Sequence, residues 1–297
     1  MRFWNRQVLL KIGQAGNKAL QYENTNGEGL TIDFSVSKDT TKKSNKGVFK
    51  IYNMNFSSAK YAALPGSIVE FKAGWDGNIA TIFRGAVLSC DDTYSGIDKV
   101  TTIIATDGGK EVSDSFIAKQ TLNDMDGVNL IRLLAKELGM NTVRVGGDIS
   151  SVEYPKGYAM IGKSADILTQ ICDSMNACWY IDNGILYLCD YYHGIRNTGY
   201  EINAASGLLG SPSHIVIDNY FKKNRKKSTS GAKRSSKNGY GYNIKCLLNP
   251  YIHIRDIVHI SSKIISDYMY IESIKYNGNT NKGDFICDIV GIKTRGE

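Results

Sequence analysis

Leu30-Thr31-Ile32-Asp33-Phe34-Ser35-Val36 decides how this chain is read. Leu30, Ile32, Phe34 and Val36 alternate with Thr31, Asp33 and Ser35, the period-2 pattern of a strand with one buried face. Working outward, the same pattern recurs in KGVFKIYNM (46–54), where Phe49 and Ile51 face away from Lys50. It recurs again in SIVEFKAGW (67–75), which sets Val69, Phe71, Ala73 and Trp75 on one side. IATIFRGAVLS (79–89) and DKVTTIIAT (98–106) continue the series. Asn26-Gly27, Asp76-Gly77 and Ser95-Gly96 supply the turns. Closely spaced strands with no helical period between them predict a small antiparallel barrel or sandwich.

The period then changes. In DGVNLIRLLAKELGM (126–140), Val128, Ile131, Leu134 and Leu138 share a helical face that Leu130 and Leu133 widen, and Gly139 is placed to stop the helix. SADILTQICDSMNA (164–177) carries a second stripe of Ile167, Leu168, Ile171, Cys172 and Met175, with Ser164 expected as its N-cap. WYIDNGILYL (179–188) holds two apolar runs around Asn183-Gly184, a strong hairpin signal. After Gly210 the strand style returns in NIKCLLN, DIVHISS, YMYIESIKYN and DFICDIVGIK. The expected fold class is therefore mainly β, two small barrels with an α+β insert. Its divisions are residues 1–108, 109–205 and 206–297.

Bulk properties fit this plan. The 297 residues suffice for two or three domains of about 100–150 residues each, and a chain that is 42% hydrophobic can fill their cores. The N-terminus lacks the apolar core and small-residue cleavage site of a signal peptide, and no run reaches the roughly 18 apolar residues of a membrane span. The six cysteines, at 90, 172, 178, 189, 246 and 287, form no CxxC pair and are expected as free thiols in a reducing cytosol. The formal charge of +7 is local. Lys222, Lys223, Arg225, Lys226, Lys227, Lys233, Arg234 and Lys237 concentrate it in one stretch without a carboxylate. Outside that stretch the chain is close to neutral, so the global charge does not argue for nucleic acid. The segment is expected to be an extended loop off the second barrel. It reads first as a solvated connector without a target; the functional alternatives are contact with an acidic surface on a neighbouring protein and a lumenal loop touching DNA or the tape measure. No aromatic residue interleaves its cations, so base stacking is not indicated.

The ordered set of motifs resembles the baseplate hub proteins of contractile phage tails. GLTIDFSVSKDTTKKSNKGVFKIYNMN (29–55), VEFKAGW (69–75), IFRGAVLS (82–89) and TIIATDGG (102–109) follow the family's first domain. SGLLGSPS (206–213), GYNIKCLLNPYI (241–252) and YIESIKYNGNTNKGDFICDIVG (270–291) follow its last. Tyr276 and Asn277 stand where the family often has His, which we read as surface variation, and the basic stretch is not part of the pattern. The resemblance implies a homotrimer in which each subunit carries two tube-like barrels. Six barrels in pseudo-sixfold order would adapt a sixfold tail tube to a threefold spike. It implies spike protein and distal tail tube protein as partners, with tape measure and baseplate wedge proteins further out. DNA would meet the protein only in transit through the lumen. It also implies synthesis in the host bacterial cytoplasm, a final place in the virion baseplate, and no membrane contact, cofactor or catalysis. A hub-like part of another contractile injection system is the neighbouring alternative.

One motif points elsewhere. Gly157-Tyr158-Ala159-Met160-Ile161-Gly162-Lys163-Ser164 matches GxxxxGK[ST] and opens the second helical stripe, which would make the protein a P-loop nucleotide binder. That function requires a buried strand directly before Gly157, and SSVEYPK with Pro155 is a poor one. Other chemistry is weaker. His193, His214, His253 and His259 form no HExxH or HxxxH pair. Cys172, Cys178 and Cys189 lack a fourth zinc ligand, and Cys172 lies on an apolar helix face. There is no GxSxG elbow, and Asp91 and Asp92 fall on opposite faces of a strand.

Overall fold

The computed structural model describes residues 5–40, 44–108, 112, 115–121, 124–147, 149–190, 199–217 and 239–294. The first half contributes β1 (Arg6–Gly13), β2 (Leu20–Thr25), β3 (Ile32–Asp39), β4 (Lys46–Tyr52), β5 (Ile68–Trp75), β6 (Asn78–Ser95) and β7 (Asp98–Thr106), with α1 (Phe56–Ala62) between β4 and β5. The middle contributes β8 (Phe116–Gln120), β9 (Met125–Asp126), α2 (Gly127–Glu137), β10 (Val143–Gly146), β11 (Glu153–Tyr154), β12 (Ala159–Lys163), α3 (Ser164–Ser174), β13 (Ala177–Asp182) and β14 (Ile185–Asp190). The last part holds β15 (Gly199–Ile202), β16 (Leu208–Ile217), β17 (Gly239–Leu247), β18 (Ile257–Ser261), β19 (Ser266–Asn279) and β20 (Phe285–Lys293). The protein is mainly β with an α+β insert.

The expected turns form as their residues require. Asp76-Gly77 and Asn183-Gly184 take positive φ at both positions and close the β5–β6 and β13–β14 hairpins. Asp126 caps α2 through the Asn129 amide at 2.9 Å, and Gly139 at φ +74° follows its end. Ser164 is the first residue of α3 rather than its cap. Its hydroxyl is buried, donating to the Val112 carbonyl and accepting from the Ser115 hydroxyl, so it cannot turn back on the helix amides.

Among the described residues, thirteen strands join one sheet in the order β2-β1-β5-β6-β7-β4-β3-β19-β20-β17-β16, with β18 and β15 branching from β19. The sheet crosses between the halves at β3–β19, where Ser35 pairs with Asn277 and Val36 with Tyr276. Side chains reinforce the seam. The Ser35 hydroxyl donates to Asn277 at 2.9 Å, Asn279 donates to Asp33, and the Ile32 amide reaches the Thr280 hydroxyl at 3.1 Å. Tyr276 corrects the sequence reading. It is fully buried and its hydroxyl donates to the Ile252 carbonyl, because β19 turns it to the core face. Aromatic rings chain across both halves: Phe83, Phe49, Phe71, Phe34, Phe285 and Trp75 each lie 4.7–5.7 Å from the next.

The β13–β14 hairpin serves two cores at once. Trp179, Ile181, Leu186 and Leu188 pack with Leu130, Ile131 and Leu134 of α2 and Leu168 and Ile171 of α3. Alternate residues Tyr180, Tyr187 and Cys189 pack into the core of the large sheet. Asp182 lies on that second face and pairs with the Lys38 ammonium, both side chains buried. Around the pair, Asn45 donates to both Asp107 oxygens from its amide (3.0 Å) and side chain (2.9 Å), and the Asn183 amide donates at 2.8 Å. Burial, against the nearby Lys38 charge, pushes the Asp107 carboxyl up to about 6 from 3.8. The folded protein therefore binds a proton on Asp107 between pH 4 and 6 that the unfolded chain has lost, and this carboxyl's contribution to stability falls as pH rises through that window. Urea melts of the wild type and Asp107→Asn should show a stability difference that is greatest near pH 4, declines on the order of 3 kcal/mol by pH 7 and is flat above. A pH-independent difference would refute the assignment.

Candidate assembly interface

An open sheet leaves edges. Among the described residues, β2 and β16 end the strand order and carry no strand on their outer sides. β6 creates a third edge by its length. Its pairing with β5 stops at Ala86, while its pairing with β7 runs on to Ser95, so the distal half of β6 has a strand on one side alone. Leu88 sits at the register shift there, and the arm ends at Gly96-Ile97. Leu88 is 60% exposed, Tyr94 69% and Ile97 99%. Phe56, at the start of α1, lies nearby with the Lys99 ammonium 4.1 Å from its ring centroid. A long strand edge with exposed apolar side chains is the feature that soluble proteins cover or use for pairing.

Polar side chains tie the two strands of the arm together. Thr101 donates to Asp92 at 2.6 Å and Lys99 at 3.2 Å. Burial would raise the Asp92 carboxyl, but these bonds outweigh it and hold it below the usual carboxylate range. Asp91 pairs with Thr102 on the opposite face, so the two carboxylates do not converge. Cys90 turns toward α1, its thiol 3.6 Å from the Ala59 carbonyl, and burial pushes it up to about 11.

The Walker-like stretch is a strand. Residues 159–163 form β12, antiparallel to β8, with Ala159 opposite Gln120 and Lys163 opposite Phe116. The amide of Tyr158 is taken by the Thr121 hydroxyl at 2.9 Å, and that of Ser164 by the Ser115 carbonyl. A phosphate cradle needs those amides pointing into one concavity after a parallel strand, so the nucleotide-binding alternative is overturned. One face of this ribbon exposes Phe116 and Ile161.

The eight predicted partner-contact cations, Lys222 to Lys237, lie outside the described residues. Their flanks are placed: β16 and β17 are antiparallel neighbours, and Ile217 faces Gly239 in register. Among the described residues no group of His, Cys, Asp and Glu could hold a metal ion. Cys172 lies in the core under α2 and α3, while Cys178 and Cys189 face the large sheet. No described helix is long and apolar enough to cross a membrane. The sequence reading ends this strand at Ser89 and misses the arm beyond it, whose one signal is that no Gly, Pro or Asn falls between Gly85 and Gly96.

No protein-family model matches the chain, and no curated protein does. Solved structures do. A 43 kDa tail protein of prophage MuSo2 from Shewanella oneidensis superposes with a TM-score of 0.65 at 12% identity, over 97% of this chain and 98% of that one. The chain shares its fold with phage tail proteins. A tail protein from Neisseria meningitidis MC58 gives 0.61 at 12% identity, over 96% of both chains. An Escherichia coli protein described as a component of the type VI secretion system, similar in structure to the T4 bacteriophage tail proteins gp27 and gp5, gives 0.60 at 8% identity, over 96% of this chain and 77% of that one. Since the Lys163 side chain is exposed on a ribbon, Lys163→Ala should leave the melting temperature within about 1 °C. Neither form should bind ATP in equilibrium dialysis; binding that Lys163→Ala abolishes would restore the nucleotide reading.

Proposed function

We propose that this protein is a structural subunit of a phage-type contractile tail baseplate, a trimeric hub that joins the sixfold tail tube to the trimeric spike. The observation that carries the proposal is the likeness in fold to two tail proteins, one of them from a prophage, over essentially the whole of both chains. Two strand-rich parts per subunit would give a trimer six similar units around its axis, enough to meet a sixfold ring on one face and a threefold partner on the other. The unpaired edges of the large sheet suit this role, since ring closure would cover them with neighbouring subunits. The distal half of β6 is the edge we assign to the subunit contact. Spike and distal tube proteins are the proposed partners, and DNA would pass through the lumen without being held. The match to the E. coli protein favours, as a second reading, the same role in a related injection machine.

Negative-stain images of the purified protein, alone or with its spike partner, should show ring-shaped trimers. Leu88→Asp with Ile97→Asp should give a folded monomer, with circular dichroism unchanged, because both side chains are exposed in the isolated subunit. A wild type that stays monomeric even with its partner would sink the hub proposal, and trimers unaffected by the double change would move the contact off β6.

The basic segment is the proposed partner contact. Replacing Lys222, Lys223, Arg225, Lys226, Lys227, Lys233, Arg234 and Lys237 with Ser should leave the trimer intact. It should slow association with the partner by about tenfold or more at low salt, with little effect at high salt. Association rates with unchanged magnitude and salt dependence would make the segment a passive connector.

A further inference from the structure

Four of the six cysteines face one another in two cross-strand pairs: Cys178 with Cys189 on β13–β14, and Cys246 with Cys287 on β17–β20. Directly opposed residues of antiparallel strands hold their Cα atoms about 4.5–5.5 Å apart, inside the span of about 4.4–6.8 Å that a disulfide bridges. Both pairs could thus close with little backbone movement. They differ in chemistry. The Cys178 and Cys189 sulfurs are 3.1 Å apart. Arg255, on the link before β18, brings Nη2 to 3.6 Å from the Cys178 sulfur and to 3.6 Å from a Glu272 oxygen. Cys178 keeps partial exposure, whereas Cys189, Cys246 and Cys287 are buried.

We propose that Cys178 and Cys189 form a redox-active dithiol that reacts with small disulfide oxidants such as glutathione disulfide, Cys178 attacking and Cys189 resolving. The Cys178 thiolate attacks one sulfur of the oxidant, forming a mixed disulfide and releasing one glutathione thiolate. Cys189 loses its proton and displaces the second glutathione, closing the Cys178–Cys189 bond. The protein gives up two electrons, and the protons of the two cysteines end on the two released thiols. The roles follow from the surroundings. Cys178 is the partly exposed member of the pair and has the Arg255 guanidinium 3.6 Å from its sulfur, which favours its thiolate, whereas Cys189 is buried and burial disfavours its thiolate. At Cys287 burial and the Cys246 hydrogen bond raise the thiol, and both residues of that pair are buried. This inference does not depend on the assembly role proposed above.

The test incubates the folded full-length protein with glutathione disulfide at pH 8, quenches with acid, alkylates after denaturation and maps peptides by mass. The Cys178 and Cys189 peptides should be joined, while Cys246 and Cys287 are recovered alkylated. Cys189→Ser should instead retain glutathione on Cys178, and Arg255→Met should slow labelling of Cys178 by about twofold to threefold. The proposal fails if Cys178 and Cys189 are recovered unlinked, or if Cys246 and Cys287 join as fast. Because the wild type alone separates these outcomes, a variant that does not fold leaves the answer intact.

Discussion

A lysine ammonium removed from water must be neutralised where it lies. Lys38 sits on the core face of β3, in line with Ile32, Phe34 and Val36, and its partner Asp182 comes from a hairpin in another part of the chain. Stripping either charge from a buried pair typically costs about 3–5 kcal/mol, more than the pair is worth over an apolar replacement. The pair is therefore better understood as a positional constraint than as a source of stability. It fixes the height of the β13–β14 hairpin against the sheet. Asn45, Asp107 and Asn183 then have one arrangement in which their donors and acceptors match.

From that fixed point the division of the hairpin into two faces follows. Side chains alternate, so one set reaches the helices and the other the sheet, and the insert cannot shift by one residue without exchanging its two cores. The Tyr180 and Tyr187 rings, stacked 5.1 Å apart, occupy the face that meets the sheet. The same alternation places Cys178 and Cys189 side by side.

Much of this was legible in the sequence, and the limits have physical causes. Strands β3 to β5, the first part of β6, β7, both long helices and the Asn183-Gly184 hairpin were readable because period and turn chemistry are local. The joint was half legible: continuing the alternation from Val36 lands on Lys38, a charge on a core face, but nothing nearby names Asp182 as its partner. β1 is harder to read, because the apolar Leu9 between the buried Val8 and Leu10 blurs the alternation that ends at Lys11 and Ile12. Tyr276 was misjudged because its burial depends on β3, a strand far away in sequence. For the candidate interface, the basic segment stood out in composition, but the β6 edge did not. An edge is defined by where a neighbouring strand stops, and no residue of β6 records that.

The β3–β19 seam has a consequence in time. Ser35 and Asn277 are 242 residues apart, so β3 emerges from the ribosome long before the strand that completes it. At about 5–20 residues per second, its outer margin waits on the order of 10–50 s. For that interval the row of β3 amides and carbonyls that β19 will take has no partner strand. The polar residues on its outer face, Asp33, Ser35 and Ser37, then act as guards before they become structure, keeping the margin wetted until the last hairpin arrives to claim it.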